Sequence, residues 1–389
     1  MTNLVLAAIV NLDPIYIWIN LLLLFVFYNA GANVSKGESY WNNASICIFL
    51  FIFVLGSRYM RGNDYAHYIT AYSKGDPGHE YLFTVFNTFL RDFIGVGKYY
   101  IFFIYAMPFI LCGFKFLKRF KRYAKWTFPL FLISMIYFEE YEIRQAFGFS
   151  FIFLFLDELL SKHSIEKKVV LCFLYSVIAF NIHSVNIIFI LIFLLLLLAP
   201  KKVLSWKLSI PLLFFSTYFF ILYYDISYIS PILRLLEGTN NAKFVQYTSG
   251  NAAEAWFGEN ALQLDNERQI IIKFFLFLSN SSLFYFSWKY IKVQKYRHGW
   301  MIVILTNLYI MGDMAKQAFI YFELLNRLSG MFQRMWFLPF AIVVSKIKFN
   351  TLNYLERCAY FLMFFMFYDY LKYLFAPTKG MTMFLWDKI

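Results

Sequence analysis

Long apolar stretches separated by short polar junctions run through most of this sequence. A helix that crosses a bilayer needs about 20 mostly apolar residues, whereas the period-two alternation of strands does not persist anywhere. The pattern therefore predicts an all-α polytopic membrane protein, in which residues 1–389 form a single transmembrane domain of about twelve helices, within a range of eleven to fourteen. The predicted spans are approximately 13–30, 44–57, 98–116, 126–140, 143–160, 168–182, 184–200, 208–224, 268–289, 299–317, 329–345 and 354–374.

Two segments interrupt this series of spans. Residues 79–95 carry Arg91 and Asp92 within a short apolar run, which predicts an amphipathic or re-entrant helix, with an additional span as the alternative. Residues 225–267 form the one long polar segment and contain more acidic than basic residues. Loops of this length are often lids or binding loops, so Trp256 is a candidate for stacking on a sugar ring. A plain surface loop is the alternative interpretation.

The composition excludes a disordered chain and an ordinary soluble enzyme. Hydrophobic residues make up 61% of the chain and charged residues 15%, against roughly 45–50% and 25% in soluble domains. The four cysteines lie in apolar stretches without the spacing of a zinc site or a redox motif, so buried apolar side chains are the simpler interpretation. We therefore expect no metal ion and no cofactor.

The basic residues indicate which side of the membrane each junction occupies. The net charge is +13, and more than half of the 36 Lys and Arg residues lie in six junctions that a twelve-span topology places on one side. Positive charge marks the cytoplasmic side, so the loop 225–267 is predicted to be extracytoplasmic. Orientation and contact with membrane lipids are sufficient roles for these junctions, and nucleic acid is not an expected partner. The junctions are 115–125, 161–168, 200–207, 289–298, 346–357 and the region around Lys36.

The predicted outer face carries few basic residues, and these are arginines close to the ends of spans. They are Arg58, Arg61, Arg144, Arg327 and Arg334. A guanidinium at membrane depth is costly and usually faces a cavity or a partner. Snorkelling or a local ion pair, such as Glu140 with Arg144, is the simpler alternative for each arginine. Arginines that converge from separate spans would instead form a cationic pocket suited to phosphate.

Two candidate proton acceptors belong to the same predicted face. Asp64 follows a Gly-Asn turn in the segment 56–72, and its carboxylate is either a base or a group that orients an arginine. His183 stands between two apolar spans, and an unperturbed histidine titrates near ~6.5, which suits a proton acceptor. The residues leave this choice open. A polar exit loop and an interfacial histidine are the simpler interpretations.

Five short motifs follow one another in a fixed order along the chain. They are R-Y-x-x-G-x-D-Y-x-x-Y at 58–68, an acidic residue before an apolar helix at Glu80, I-R-Q at 143–145, H-S at 183–184 and R-L-S at 327–329. This ordered set resembles the EpsG/Wzy-type polysaccharide polymerases of bacteria, and the resemblance runs across most of the chain. Arg61 departs from the pattern, which has an apolar residue there.

The resemblance implies a metal-independent, inverting glycosyltransferase with a GT-C-like helical architecture and one long extracytoplasmic loop. Such an enzyme joins oligosaccharide repeat units carried on undecaprenyl pyrophosphate at the outer face of the bacterial inner membrane. The product would be an O-antigen, a capsule or an exopolysaccharide. Chain-length regulators and flippases would be its protein partners.

The resemblance and the residue chemistry together assign roles to the candidate residues. A planar guanidinium donates two parallel hydrogen bonds to a phosphate, and a fixed cation stabilises the charge that develops on a leaving group. The predicted catalytic residues are His183, Asp64, Arg144 and Arg327. The predicted pyrophosphate ligands are Arg58, Arg61, Arg144, Arg327 and Arg334, and the predicted sugar ligands are Tyr65, Tyr68, Glu80 and Trp256.

Two other classes of membrane protein remain as alternatives. A flippase or transporter of lipid-linked oligosaccharides would also need a cationic cavity, but the sequence shows no duplicated halves. An integral-membrane O-acyltransferase would also use a histidine, but the arginines and tyrosines of 58–68 would have no role in it.

Overall fold

The computed structural model describes residues 14–62, 64–75, 80–223, 266–319 and 323–375, and within these ranges it contains helices and no strands. The predicted loop 225–267 falls outside them except for its last two residues, and so does Trp256. The helices are α1 Pro14–Ser35, α2 Tyr40–Gly56, α3 Tyr65–Lys74, α4 Tyr81–Thr88, α5 Ile101–Leu117, α6 Ala124–Tyr141, α7 Ile143–Leu159, α8 Ile165–Ile182, α9 Asn186–Leu198, α10 Trp206–Tyr223, α11 Asn266–Tyr290, α12 Gly299–Ala318, α13 Glu323–Gln333, α14 Phe337–Lys346, α15 Tyr354–Met363 and α16 Tyr368–Leu374.

Four stretches of the described chain are long and apolar enough to cross a membrane. They are Ile15–Ser35, Ile101–Tyr141, Ile271–Tyr290 and Leu325–Lys346. The helices α2 and α9 are apolar but shorter. Together with the helical fold, these stretches confirm the prediction of an all-α polytopic membrane protein. The count of twelve spans and the GT-C-like arrangement stay predictions.

Several short helical turns refine the predicted spans. The segment at 79–95 forms α4, which continues as a π-helical turn at Phe89–Ile94, as expected for a short amphipathic helix. The last two predicted spans are each divided by a 3-10 turn, at Arg334–Trp336 and Phe364–Phe367. Hydropathy sums over a window and does not register such changes of helical pitch.

The described helices belong to two compact units. Unit 1 contains α1 to α9 together with the C-terminal α16, and unit 2 contains α10 to α15. Unit 1 is therefore discontinuous in sequence. The prediction of a single transmembrane domain stays a prediction.

Close helix contacts build the core of unit 1. Helix α1 packs along α6, and α7 packs along both α5 and α8. A Cβ atom at Gly31 would lie only 2.2 Å from the carbonyl oxygen of Ala124, so glycine permits this approach of α1 to α6. Phenylalanine rings fill the interior, where Phe109 and Phe153 each contact Phe131. Edge-to-face and offset ring contacts of this kind favour close packing of aromatic helices.

Unit 2 is held by packing of α12 against α13 and of α11 against α15. A capping box begins α15, since the Asn353 side chain accepts a hydrogen bond from the backbone N–H of Glu356 and the Glu356 side chain accepts one from the backbone N–H of Asn353. Glu356 also forms an ion pair with Lys289 and accepts a hydrogen bond from Tyr285, both on α11. One carboxylate thus fixes both the start of α15 and its contact with α11.

Candidate functional site

The first motif leads into two short helices, α3 and α4, which pack against the ends of longer helices. Helices α3 and α4 pack on α5, α7 and α8 through a cluster of buried aromatic and aliphatic side chains. The ring of Tyr65 stacks on Phe102 with centroids 4.1 Å apart. Tyr68 and Phe83 lie in the same cluster and contact each other edge to face. This aromatic core fixes the position of Glu80, the residue that precedes α4.

Three distant segments of the chain meet at Glu80. Its carboxylate forms an ion pair with Arg144 at the start of α7, with 2.6 Å between Oε2 and Nη1. Its other oxygen accepts hydrogen bonds from the backbone N–H and the hydroxyl of Ser184, at 3.2 and 3.1 Å. We refer to Glu80, Arg144 and Ser184 as the Glu80 cluster. Three of the motifs found in the sequence therefore converge in unit 1.

The Glu80 carboxylate is held in its ionised form. Burial alone would raise its pKa, but Arg144, His183 and the N–H of Ser184 outweigh that effect and lower the pKa below its ordinary value. His183 ends α8 with an extended backbone, and its N–H donates to the carbonyl of Ala179. The imidazole therefore lies within electrostatic reach of a carboxylate that stays charged at neutral pH.

The Glu80 cluster is only partly buried. The side chain of Arg144 is 18% exposed and that of Glu80 is 14% exposed. Tyr68 borders the cluster: burial raises its pKa to about 12, and the nearby Arg144 opposes this rise. An anion that approached from the exposed side would meet the guanidinium of Arg144 without first opening the core.

Arg58 lies in a different environment, deep inside unit 1. Its guanidinium forms an ion pair with Glu139 at 3.2 Å, and both side chains are almost completely buried. Its Nη1 also donates to the carbonyl of Leu55, and the guanidinium lies over the ring of Phe102. In this conformation Arg58 faces protein groups, and its predicted role as a pyrophosphate ligand remains a prediction.

Arg61 forms a second buried pair, with Glu140, at 2.6 Å. Its guanidinium lies 3.5 Å from the centre of the Tyr16 ring, and the hydroxyls of Tyr16 and Tyr373 both donate to Glu140. Gly62 is needed here, because its φ is +93° and a Cβ atom would lie 2.7 Å from the carbonyl oxygen of Glu140. The prediction that Arg61 binds pyrophosphate also stays untested.

These partners correct one interpretation made from the sequence. Arg144 pairs with Glu80 and not with Glu140, because the backbone of Glu142 leaves the helical region and separates α6 from α7. The partners of Arg58 and Arg61 are the adjacent carboxylates on α6. Asp64 occupies the N-terminal cap position of α3 and is partly exposed, and its predicted role stays a prediction.

The predicted sugar ligands and the remaining arginines have diverse positions. Tyr65 is fully buried and Tyr68 nearly so, which leaves Glu80 as the more accessible of the three in unit 1. Arg327 is exposed on α13, and Arg334 is partly buried in the 3-10 turn that follows. Both belong to unit 2. Their roles, and that of Trp256, stay predictions.

A buried polar group in unit 2 also lay outside the sequence-based site. The carboxylate of Asp313 accepts a hydrogen bond from Gln333, whose carbonyl oxygen accepts one from Lys316. Asp313 is fully buried. This group ties α12 to α13. Within the described ranges, no three His, Cys, Asp or Glu side chains are grouped so that they could hold a metal ion.

Sequence reasoning missed the carboxylates and tyrosines that hold Arg58 and Arg61. Adjacent glutamates within a largely apolar helix are a signal of buried partners, and Glu139 and Glu140 carry that signal. Tyr16 and Tyr373 are separated by 357 positions. No local pattern could have associated them.

Comparison with known proteins identifies the family. The EpsG family matches residues 43–384, a range that includes all five motifs. No curated protein and no solved structure matches the chain. The family match points to a membrane protein of polysaccharide biosynthesis. Because it covers most of the sequence, it confirms the resemblance seen in the motifs: the chain belongs to the EpsG family.

Proposed function

We propose that this protein is a polysaccharide polymerase that joins oligosaccharide repeat units carried on undecaprenyl pyrophosphate. It acts as a metal-independent, inverting glycosyltransferase at the outer face of the bacterial inner membrane. The observation that carries the proposal is the Glu80 cluster together with the adjacent His183. Separate sequence motifs bring a partly exposed arginine, a carboxylate and a histidine together at the ends of apolar helices.

Arg144 is the residue proposed to bind the pyrophosphate. Its guanidinium is planar and donates in pairs, so it matches two phosphate oxygens better than a lysine would. Glu80 holds the guanidinium in place, and the partial exposure of the pair lets a phosphate bind Arg144 from the other side. Arg144 then stabilises the negative charge that develops as the bond between the anomeric carbon and the pyrophosphate oxygen breaks.

His183 is the proposed proton acceptor for the attacking sugar hydroxyl. The ionised Glu80 favours the protonated imidazole that forms when the hydroxyl oxygen attacks the anomeric carbon. Asp64 is the second candidate for this role, since it is partly exposed and lies close enough to Tyr68 to affect its titration. Arg58 and Arg61 would act on the site through α6. The roles predicted for Arg327 and Arg334, which belong to unit 2, stay predictions.

The test of this proposal is polymer formation by purified protein supplied with lipid-linked repeat units. We expect a ladder of products, and we expect Arg144→Ala and Arg144→Lys to lower its rate by about tenfold to a thousandfold, the range for losing one stabilising contact in the transition state. Arg91→Lys is the matched control, because Arg91 is a partly exposed arginine paired with the neighbouring Asp92, in the segment 79–95 that contains Glu80.

Full activity in both Arg144 variants would remove Arg144 from the site. Movement of the lipid-linked substrate across vesicles without any lengthening of the saccharide would instead support a flippase. Transfer of an acyl group to the saccharide would support an acyltransferase. Either result would overturn the proposed polymerase activity.

A further inference from the structure

A long apolar groove runs along the side of unit 1. It lies among α7, α8 and α9 and has a volume of about 740 Å³, within the roughly 300–1,000 Å³ typical of ligand pockets. On α8 its lining extends from Ile165 to Phe180, and on α9 it begins at Ile187. The same three helices present Arg144, His183 and Ser184 at their ends.

The groove offers its occupant almost no polar contact. The hydroxyl of Ser176 donates to the carbonyl of Cys172, and the thiol of Cys172 points to the carbonyl of Phe155. Lys168, at one end, donates to the carbonyl of Leu159. The polar groups of the lining thus have partners within the protein. A hydrocarbon chain is the ligand that suits such a surface, because its binding is driven by burial of apolar area alone.

The groove is long enough to hold an extended hydrocarbon chain. The helix from residue 165 to residue 180 is about 22 Å long at 1.5 Å per residue, whereas one leaflet contributes roughly half of a hydrocarbon core about 30 Å thick. A polyprenyl chain is longer than one leaflet and can follow the groove along its whole length.

One end of the groove lies near the Glu80 cluster, and this indicates the direction in which a bound chain would run. Phe180 and Ile187 border one end, and each lies three residues from the His183–Ser184 pair. A chain that leaves this end would bring its phosphate head group to Arg144. We propose that the groove binds the polyprenyl chain of the lipid-linked substrate, with the head group at the Glu80 cluster and the chain directed towards Lys168. This inference rests on the proposed function.

The experiment uses three variants of full-length protein in detergent and two probes, undecaprenyl phosphate and geranyl phosphate. Val177→Trp fills the groove near the head-group end, and Val169→Trp fills it near the far end. Val170→Trp is the matched control, because Val170 is 64% exposed and Val169 is 62% exposed, but Val170 does not line the groove. Titration followed by native mass spectrometry gives each dissociation constant.

We expect Val169→Trp to weaken undecaprenyl phosphate by about tenfold or more, since several buried methylene groups lose their place, and to leave geranyl phosphate unchanged. Val177→Trp should weaken both probes, and Val170→Trp neither. Equal binding of undecaprenyl phosphate by wild type and Val169→Trp would overturn the inference. So would displacement of undecaprenyl phosphate by a phospholipid at equal concentration. A normal binding pattern without polymer formation would refute the proposed polymerase activity but not the groove.

Discussion

Two kinds of arginine–carboxylate pair occur in unit 1, and they differ chiefly in exposure. The pairs of Arg58 with Glu139 and of Arg61 with Glu140 are buried on all sides, whereas the pair of Arg144 with Glu80 is partly open. A buried ion pair contributes little net stability, yet removing one partner leaves an uncompensated charge and is strongly destabilising. An open pair is worth at most about 1 kcal/mol and leaves the guanidinium accessible to a ligand.

The comparison separates residues that maintain the fold from residues that act on a substrate. Chemically similar side chains, less than ninety positions apart, can serve either purpose. What decides between them is whether water or a substrate can reach the guanidinium. The same distinction orders the expected effects of mutation.

The largest expected effect on rate belongs to His183. His183→Ala should lower polymer formation by roughly 10²–10⁴, the range for losing a general base, and should remove the fall in activity that protonation of His183 causes as the pH decreases. Measurement of the rate against pH checks both effects. Retention of the rate and the pH profile in His183→Ala, together with an inactive Asp64→Asn that still binds the donor, would assign the base to Asp64.

Breaking a buried pair should have the largest effect on stability. Arg58→Ala or Glu139→Ala should destabilise the protein by about 3–5 kcal/mol, because the remaining charge has no partner. Thermal unfolding in detergent measures this loss. The double variant Arg58→Met with Glu139→Met should recover much of the stability, since a hydrophobic pair can replace a buried ion pair. Normal unfolding of both single variants would contradict the interpretation of the pair as a structural element.

The open pair should respond to pH in a predictable direction. The pKa of Glu80 is lowered in the folded protein, so its contribution to stability is fully present above the ordinary pKa near ~4.3 and is lost as the pH falls through the lowered value. Comparing the unfolding of wild type and Glu80→Gln against pH should show a difference of at most about 1 kcal/mol. If that difference disappeared above pH 6, the titrating group that affects stability would not be Glu80.

An effect on stability of intermediate size, between those of the buried and the open pair, concerns the hydroxyl of Tyr373. Tyr373→Phe removes one of the two hydroxyls that donate to Glu140 and should cost about 1–2 kcal/mol, somewhat more than a neutral hydrogen bond. Tyr137→Phe is a suitable control, because Tyr137 contacts the ring of Tyr373 and is itself 41% exposed. Equal stability of the two variants would show that Glu140 does not depend on this hydroxyl.

Much of the helical fold could be predicted from the sequence, because hydropathy is a local property. The hydropathy pattern, for example, predicts a span at 168–182, and helix α8 is observed at Ile165–Ile182. The short helix at 79–95 was recognised from its charges for the same reason. The 3-10 turn at Arg334 was not, because the composition on either side of it does not change.

The sequence predicts which residues belong to the candidate site better than it predicts how those residues pair. The motifs selected Glu80, Arg144 and His183, which the fold brings together. Their pairing depends on the break at Glu142, whose non-helical backbone separates α6 from α7. Partners on different helices are set by tertiary packing, and spacing along a single helix gives only the alternatives.

The contribution of α16 to unit 1 has a consequence for the biosynthesis of the protein. Tyr373 lies in the last described helix, yet it completes the surroundings of Arg61 and Glu140, which are made much earlier. Chains are synthesised from the N-terminus and fold progressively, so the ribosome must add a further 233 residues after Glu140 before this buried charge pair acquires all its neighbours. A chain released before α16 would keep that end of unit 1 open and would present a charged, incompletely packed helix surface to the membrane quality-control proteases.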